Sequence, residues 1–456
     1  MSSPRRSTNY DNHPMGWVII GAAFITNVIL MGNVKALGVL LIAIETDFSS
    51  HLWLIGWIAT LHSMLKNVLG PLITVLIRIL GSRFVFISGG IFGGIGLTLA
   101  SQSTSVVQLA ICLVLVSGVG TAFSGFCAFA LMASYFEERY SVANAVSTAG
   151  FPIGMVVVGP VTQILLDTYG WRGVVLLLGG LSFNLVALGA LVTTNIVPSS
   201  SKRYKEVAIS DKDEASRKKT EEEVPTDSGS IIELSTKDDE RKQDTSCHPD
   251  FLSCQKFSTM MDFSVLANPR FILVTLARCC SELCYTCWVV FMVSHGQFQG
   301  LSYVHSSLLP TAFGAGNFLG KLVVPLVEKN GFNPASLRLA FFVCSLLSVS
   351  FTLTALVNSF AGQMVSSASI GFGFGVFFQA NDSLTKTLAD DDRIINILGW
   401  RVLFSGFAGI FGGLLGGWLY EWTGSFQVTL FAFAGLTLLP IPLYCIDSVY
   451  TKKKNS

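Results

Sequence analysis

The chain has 456 residues, of which 51% are hydrophobic and 13% charged, and its mean hydropathy is +0.58. A soluble domain carries about 25% charged residues, so the composition excludes an ordinary water-soluble protein. The 30 Lys and Arg residues nearly balance the 29 Asp and Glu residues, which leaves no basic excess to bind nucleic acid.

Apolar residues occur in runs of about 20, the length that a helix needs to cross a hydrocarbon core of about 30 Å. These runs predict an all-α membrane protein with twelve transmembrane helices, six on each side of one polar stretch. The run that begins near Trp17 is too long for a signal peptide, so we interpret it as a retained first helix. The predicted helices cover residues 16–44, 53–80, 84–101, 106–133, 142–166, 173–197, 265–294, 303–327, 336–357, 361–388, 394–420 and 427–447.

The polar stretch between the two sets of helices carries charges of both signs and few aromatic residues. Such a segment cannot bury enough apolar surface to order itself, so we predict a disordered linker. The predicted parts of the chain are an N-terminal tail at 1–15, a six-helix bundle at 16–197, the linker at 198–264, a second six-helix bundle at 265–447 and a C-terminal tail at 448–456.

The distribution of basic residues among the short loops predicts the orientation in the membrane. Loops at one end carry Arg78, Arg83, Arg139, Lys329, Arg338 and Arg393, and the C-terminal tail carries Lys452, Lys453 and Lys454. Loops at the other end hold Glu45, Asp47, Asp167 and Glu421, with Arg172 as an exception. Because cytoplasmic loops carry the excess of Lys and Arg, we predict that both termini and the linker are cytoplasmic. The final Lys453-Lys454 pair is open to a second interpretation, a retrieval signal to the endoplasmic reticulum.

The two halves of the chain share a spacing pattern. Gly70, Leu72, Leu76 and Gly81 at the end of the second helix are spaced like Gly320, Leu322, Leu326 and Gly331 at the end of the eighth. Arg139 and Arg393 each precede the fifth helix of their half. The pattern predicts two pseudo-symmetric six-helix bundles, the plan of an alternating-access carrier rather than of a channel.

Six ionisable residues fall in the middle of predicted helices, where each costs roughly 2.5 to 3.5 kcal/mol. Five are basic and one is acidic. Arg278 and Glu282 stand four residues apart and can pair along their own helix. The remaining basic excess favours a small organic anion, and a carboxylate accepts hydrogen bonds from both Lys and Arg. The six residues are Lys35, Lys66, Arg278, Glu282, Lys321 and Arg401.

Lys35 is the leading candidate for substrate binding, because its predicted helix holds no acidic residue to pair with it. Lys66 and Arg401 are open to a second interpretation, in which their long side chains snorkel or hold a helix interface.

Two further pairs of charges have alternative interpretations. Arg278 and Glu282 form either a structural clamp or part of a site. Asp382 and Lys386 lie near the end of the tenth predicted helix, and we interpret them as a gate or interface pair.

The sequence carries no GxSxG elbow, P-loop or HExxH motif, so we predict that the protein is not an enzyme and needs no cofactor. Cys280, Cys284 and Cys287 share one face of the seventh predicted helix. We interpret them as small packing residues rather than as a metal site.

Three motifs resemble signatures of the monocarboxylate transporter family of the major facilitator superfamily. The first leads into the fifth helix, the second precedes the sixth, and the third ends the eleventh. They are Tyr135-Phe136 to Arg139 with Ala143, Ala149-Gly150 and Gly154; Gly170-Trp171-Arg172-Gly173; and Leu419-Tyr420-Glu421-Trp422-Thr423-Gly424-Ser425-Phe426. The family's acidic-Gly-Gly-Trp-Gly-Trp run is reduced here to Gly16-Trp17, which marks a divergent member.

The resemblance implies roles for residues at matching positions. Lys35 corresponds to the family's first-helix lysine, which engages substrate or proton. Asn317 and Lys321 occupy the positions of an Asp and Arg pair used in proton-coupled transport. Asparagine cannot titrate, so proton coupling stays open, with Glu282 as a replacement acid. The resemblance also implies a plasma-membrane location and allows a single-pass immunoglobulin-like chaperone as partner.

We therefore predict a secondary transporter that moves small monocarboxylates such as lactate or pyruvate by alternating access, with proton linkage undecided. Two alternatives stay open: a facilitative, proton-independent carrier of an amino acid, thyroid hormone, creatine or carnitine-like substrate, and a non-transporting membrane sensor or scaffold. Predicted substrate-binding residues are Lys35, Asn317, Lys321 and Arg278, and predicted coupling or gating residues are Glu282, Asp382, Lys386 and Arg401.

Overall fold

The computed structural model describes residues 14–192, 261–331, 337–388 and 393–455, and these residues are helical with short connections. Most of the predicted linker and residues 1–13 of the N-terminal tail lie outside the described residues. The helices are α1 (Pro14–Phe48), α2 (Leu52–Val68), α3 (Gly70–Leu80), α4 (Ser82–Ser101), α5 (Val106–Ala110), α6 (Val119–Tyr135), α7 (Tyr140–Thr148), α8 (Gly150–Leu191), α9 (Pro269–Phe298), α10 (Tyr303–Ser307), α11 (Leu309–Lys329), α12 (Leu337–Leu356), α13 (Phe360–Thr387), α14 (Ile394–Thr423), α15 (Phe426–Leu436) and α16 (Pro440–Asn455).

The predicted all-α architecture is confirmed, and each predicted apolar segment falls on one or two of these helices. By length and apolarity alone, nine helices of the described ranges can cross a membrane, or ten if the bent pair formed by α2 and α3 counts as one span. The number twelve stays a prediction. One reason for the lower count is that the fifth and sixth predicted segments lie in a single unbroken stretch, Tyr140–Leu191.

That long stretch reverses direction at Gly170, whose backbone is not helical (φ 66°, ψ 171°). Before the turn, Gly154 packs against Val28 of α1. At the turn, the Trp171 indole donates to Asp47 at the end of α1. Beyond it, Ser182 lies back beside Asn33, which donates to its hydroxyl at 2.9 Å. The chain therefore runs up along α1 and returns, and the left-handed φ at the turn suits glycine.

The two halves of the chain meet through two equivalent pairs of helices. Thr74 of α3 donates to the carbonyl oxygen of Ile395 in α14 at 3.3 Å, and Gly314 of α11 packs against Pro152 of α8. Each contact joins the second segment of one half to the fifth segment of the other, as the internal repeat leads one to expect. The glycines that end the repeated patterns also match, since Gly81 and Gly331 both have positive φ, 85° and 82°.

Within the second half, α11 and α13 approach so closely that only glycine fits between their backbones. A Cβ on Gly371 would overlap the carbonyl oxygen of Phe313, and a Cβ on Gly320 would overlap that of Phe372. Small residues permit this approach in membrane bundles, where packing replaces the hydrophobic driving force. The contact fixes the position of Lys321, the residue that follows Gly320.

We expect Gly371→Ala to lower the free energy of unfolding by about 1 to 3 kcal/mol, because the added methyl group forces two helix backbones apart. The measurement is the thermal unfolding midpoint of the purified protein in detergent. Gly413→Ala is the matched control, since an added Cβ there meets no atom within 4 Å. Equal midpoints for Gly371→Ala and the unsubstituted protein would contradict the prediction.

Candidate functional site

A network of four charged side chains lies inside the second half, centred on Asp382 of α13. Arg278 of α9 donates to Asp382 at 3.1 Å and pairs with Glu282 at 3.3 Å. Arg401 of α14 forms an ion pair with the same oxygen of Asp382. The side chains of Arg401 and Asp382 are only 3% and 8% exposed. The predicted pairing of Arg278 with Glu282 along one helix is confirmed, and Asp382 joins that pair to a third helix.

Aromatic rings cover the cations of this network. The Arg278 guanidinium lies 4.0 Å from the ring centroid of Phe378, and the Arg401 guanidinium lies 5.3 Å from that of Phe129. A ring face attracts a cation, and the attraction strengthens where water is excluded. Phe129 belongs to the first half and Arg401 to the second, so this contact also spans the boundary between them.

Two lysines, one from each half, face a single aromatic ring, that of Phe151. Lys66 of α2 and Lys321 of α11 lie 5.0 Å and 5.1 Å from the centroid of Phe151, a residue of α8. Lys321 is 7% exposed and donates to the carbonyl oxygen of Thr148 at 3.0 Å. Lys66 is half-buried. Neither lysine has a carboxylate within 4.0 Å in the described part of the chain.

The other two predicted substrate-binding residues lie apart from this ring. Lys35 is half-buried in α1, next to Val34, which packs on the apolar core of the second half. Asn317 is buried one turn before Lys321, but its amide donates to the Gly371 carbonyl at 3.2 Å. Asn317 therefore supports the tight contact between α11 and α13, and its role in substrate binding stays a prediction.

Asp382 and Lys386 take separate partners, each of which reaches the first half. Asn144 of α7 donates to Asp382 at 3.2 Å. Lys386 donates to the carbonyl oxygens of Ala133, at 2.8 Å, and of Phe136. Both contacts lie toward the end of the bundle that holds the loops at Gly81, Arg139, Lys329 and Arg393, which we call the basic end. Each of the two residues therefore contacts the first half, and their role as a gate or interface pair stays a prediction.

Sequence reasoning missed three polar or aromatic residues at this boundary. Asn144 also donates to Gln379 at 3.1 Å, and Gln379 donates to the Ser141 carbonyl at 3.0 Å. The ring of Phe151 contacts the ammonium groups of both Lys66 and Lys321. Asn144 falls inside the motif between Arg139 and Gly154, so the motif could have identified it as a candidate. Phe151 cannot be distinguished in sequence from a lipid-facing aromatic residue.

The arrangement separates two electrostatic environments. The four-residue network contains two cations and two anions and is balanced within itself. The lysines that face Phe151 lack such compensation, and a cation in a low-dielectric interior calls for an anion. The site can therefore bind an anionic group between the halves.

Comparison with known proteins agrees with this architecture. Residues 23–394 match the profile of the family described as Major Facilitator Superfamily. The chain is 25% identical to human monocarboxylate transporter 1 over 432 residues, which cover 94% of this chain and 84% of that protein. It is 24% identical to human monocarboxylate transporter 2 over 416 residues, covering 90% and 81%.

Two further matches are a fish relative and a solved structure. Monocarboxylate transporter 12-B of Danio rerio is 25% identical over 425 residues, covering 91% of this chain and 83% of that protein. The crystal structure of the human organic anion transporter MFSD10 (TETRAN) superposes with a TM-score of 0.70 at 14% identity, covering 95% of this chain and 100% of that one. The resemblance found in the sequence motifs is confirmed by the sequence relatives, and the structural match shows the shared fold.

We expect Asp382→Asn to lower the free energy of unfolding by about 3 to 5 kcal/mol, because it leaves two buried arginines without their shared anion. Chemical unfolding of the purified protein in detergent measures the change. Asp47→Asn is the matched control: its pair with Arg172 is 43% exposed on both sides, so about 0 to 1 kcal/mol is expected. Similar losses for the two variants would show that burial does not set the strength of the network.

Proposed function

Because the chain belongs to the Major Facilitator Superfamily, we propose that it is a secondary transporter that carries small monocarboxylates between its two halves by alternating access. Members of this superfamily are carriers, and the named relatives are monocarboxylate transporters. The protein is a multi-pass membrane transporter rather than an enzyme. The substrate class, the proton linkage and the residue roles are the proposal.

The observation that carries the proposal is the position of Lys321. Its buried ammonium faces the boundary between the halves, where a backbone carbonyl and the ring of Phe151 are its partners. A substrate carboxylate supplies the full negative charge that these partners lack. Lys35, which is half-buried in α1, attracts the anion toward this position. Arg278 is a weaker candidate for direct contact, since two carboxylates already engage it.

Proton coupling depends on which acid titrates. Asn317 cannot carry a proton, and Asp382 accepts from two arginines. Glu282 has Arg278 as its ion partner and lies within electrostatic range of Lys66 and Lys321, so it is the acid best placed to sense both substrate and proton. We retain uncoupled transport as the second candidate, favoured by the asparagine at position 317.

Orientation and location complete the proposal. The positive-inside distribution puts both termini and the basic end in the cytoplasm. The plasma membrane is the proposed location, and a single-pass chaperone stays a prediction from the family resemblance.

Vesicles that contain the purified protein test the proposed function through uptake of radiolabelled lactate and pyruvate. We expect Lys321→Ala and Lys35→Ala each to lower the initial rate at least about tenfold, because a substrate carboxylate loses its cation. Lys329→Ala is the matched control, an exposed lysine at the end of the same helix as Lys321.

The same vesicles decide the mode of transport. Accumulation above equilibrium under an inward proton gradient indicates symport, and equilibration that ignores the gradient indicates facilitated transport. Absence of lactate and pyruvate flux would contradict the proposed substrates and favour amino-acid, thyroid hormone, creatine or carnitine-like ones. Binding without flux of any of these would favour a sensor.

Arg278 and Glu282 have a proposed gating role, in which Arg278 shifts between Glu282 and Asp382 as the basic end opens. We expect the Arg278→Ala, Glu282→Ala double variant to transport at least about tenfold more slowly, because the switch loses both alternatives. The control is the Arg393→Ala, Asp262→Ala double variant, whose arginine is 58% exposed. Unchanged transport by the first double variant removes the gating role.

A further inference from the structure

The buried side chains between the halves carry more positive than negative charge, and the excess lies at Lys66 and Lys321. Asp382 and Glu282 are matched by Arg278 and Arg401 through ion pairs. Lys66 and Lys321 remain, and a single carboxylate on Lys321 would compensate only one of them. A buried cation costs several kcal/mol unless an anion accompanies it.

The two lysines converge on one point from opposite halves. Lys66 belongs to the first half and Lys321 to the second, and both ammonium groups approach the ring of Phe151. Their distances to the ring centroid, 5.0 Å and 5.1 Å, place the two nitrogens at most about 10 Å apart, the sum of the two values. An aromatic ring gives each cation a weak partner and leaves both able to bind a stronger one.

The two acids that act on these lysines, Glu282 and Asp382, are already ion-paired with arginines and do not remove the surplus. Glu282 interacts electrostatically with Lys66, but its ion partner is Arg278, at 3.3 Å. The charge of Glu282 is therefore shared with an arginine that also binds Asp382. Lys66 keeps an uncompensated positive charge toward the boundary.

The backbone near Lys66 is also of the kind found at carrier binding sites. The helix that carries Lys66 ends at Val68, and the next helix, α3, continues at an angle of 53°. Interrupted helices near the middle of the membrane commonly mark the substrate site of secondary transporters.

We infer that Lys66 and Lys321 form a two-cation site for a short dicarboxylate, with one carboxylate on each lysine and the carbon skeleton against Phe151. This inference extends the proposed function from monocarboxylates to diacids and rests on it for the role of Lys321. Two charge-assisted hydrogen bonds of about 2.8 Å use nearly 6 Å of the available span. Because the two nitrogens lie at most about 10 Å apart, at most about 4 Å remains between the two bound oxygens, which limits the ligand to diacids of about four carbons or fewer.

A dicarboxylate held in this way would also tie the halves together. Its two ends neutralise one cation on each half, so the bound state brings the halves closer than a monocarboxylate does. We therefore expect the binding affinity to depend on the number of charges on the ligand and on its length. Both properties can be varied in the ligand without changing the protein.

Equilibrium binding to the purified, unsubstituted protein at neutral pH and constant ionic strength is the first test. The probes are pyruvate, malonate, succinate, adipate and monomethyl succinate. We expect succinate or malonate to bind at least about tenfold more tightly than pyruvate, and monomethyl succinate, which has lost one charge from the same skeleton, to lose that advantage. Adipate is expected to bind more weakly than succinate because it exceeds the span.

Substitution assigns the preference to Lys66. We expect Lys66→Met to reduce the ratio of succinate to pyruvate affinity at least about tenfold and Lys66→Arg to retain most of it. Lys329→Met is the control and keeps the ratio unchanged. Equal affinities for succinate, monomethyl succinate and pyruvate in the unsubstituted protein would overturn the inference, as would a preference that survives Lys66→Met.

These results separate the inference from the proposed function. Pyruvate binding and uptake without any preference for diacids leaves the proposed function standing and removes the two-cation site. Diacid binding that depends on Lys66, without pyruvate uptake, supports the site and rejects monocarboxylates as the transported class.

Discussion

The free energy cost of holding charge in a medium without water governs the interior of this protein. Each cation in the middle of a helix needs an anion, a ring face or a carbonyl oxygen, and the structure supplies all three in different places. Arg278 and Arg401 share Asp382, and each also contacts an aromatic ring. Lys321 directly contacts a carbonyl oxygen and a ring, and in the described part of the chain no carboxylate pairs with it within 4.0 Å. This difference distinguishes side chains that hold the second half together from side chains that can receive an anion.

Close helix packing determines where these charges lie. The glycines at positions 320 and 371 allow α11 and α13 to touch backbone to backbone, and Asn317 ties the same two helices through the Gly371 carbonyl. Lys321 directly follows that contact and so projects from a rigid pair of helices toward Thr148 of the first half. A rigid support limits the rotamers of a long side chain and reduces the entropy lost when a ligand binds.

The spacing of apolar residues and the free energy cost of burying charge predict part of this arrangement from the sequence. Apolar runs located the helices, and a spacing of four residues identified the pair of Arg278 and Glu282, because both signals are local in the chain. The partners of Asp382 are not local: Arg278 lies 104 residues away and Arg401 lies 19 residues away. Spacing alone predicted Lys386 as the partner of Asp382, because Lys386 lies one turn further along the same helix.

Aromatic partners were beyond sequence reasoning for a different reason. In a membrane protein phenylalanine occurs on lipid-facing and on buried surfaces alike, so composition does not distinguish Phe151 from its neighbours. Only the tertiary structure shows two lysines from separate halves at one ring. Asn317 shows a related limit, because only the tertiary structure reveals that its amide ties α11 to α13.

The distribution of charge between the halves bears on how they can separate. All four members of the network, Arg278, Glu282, Asp382 and Arg401, belong to the second half, so separation of the halves breaks no ion pair between them, and an exchange of partners by Arg278 stays within the second half. Asp382 meets the first half through the neutral amide of Asn144, and Lys386 meets it through backbone carbonyls. Opening the basic end exchanges these hydrogen bonds for bonds to water, at a net cost of only about 0.5 to 3 kcal/mol each. Breaking an ion pair would leave a buried charge alone at a higher cost. In the proposed mechanism, neutral hydrogen-bond donors and acceptors form the contacts that break when the basic end opens, which keeps that motion inexpensive. The lysines at the proposed binding position keep the halves sensitive to the charge of the ligand between them.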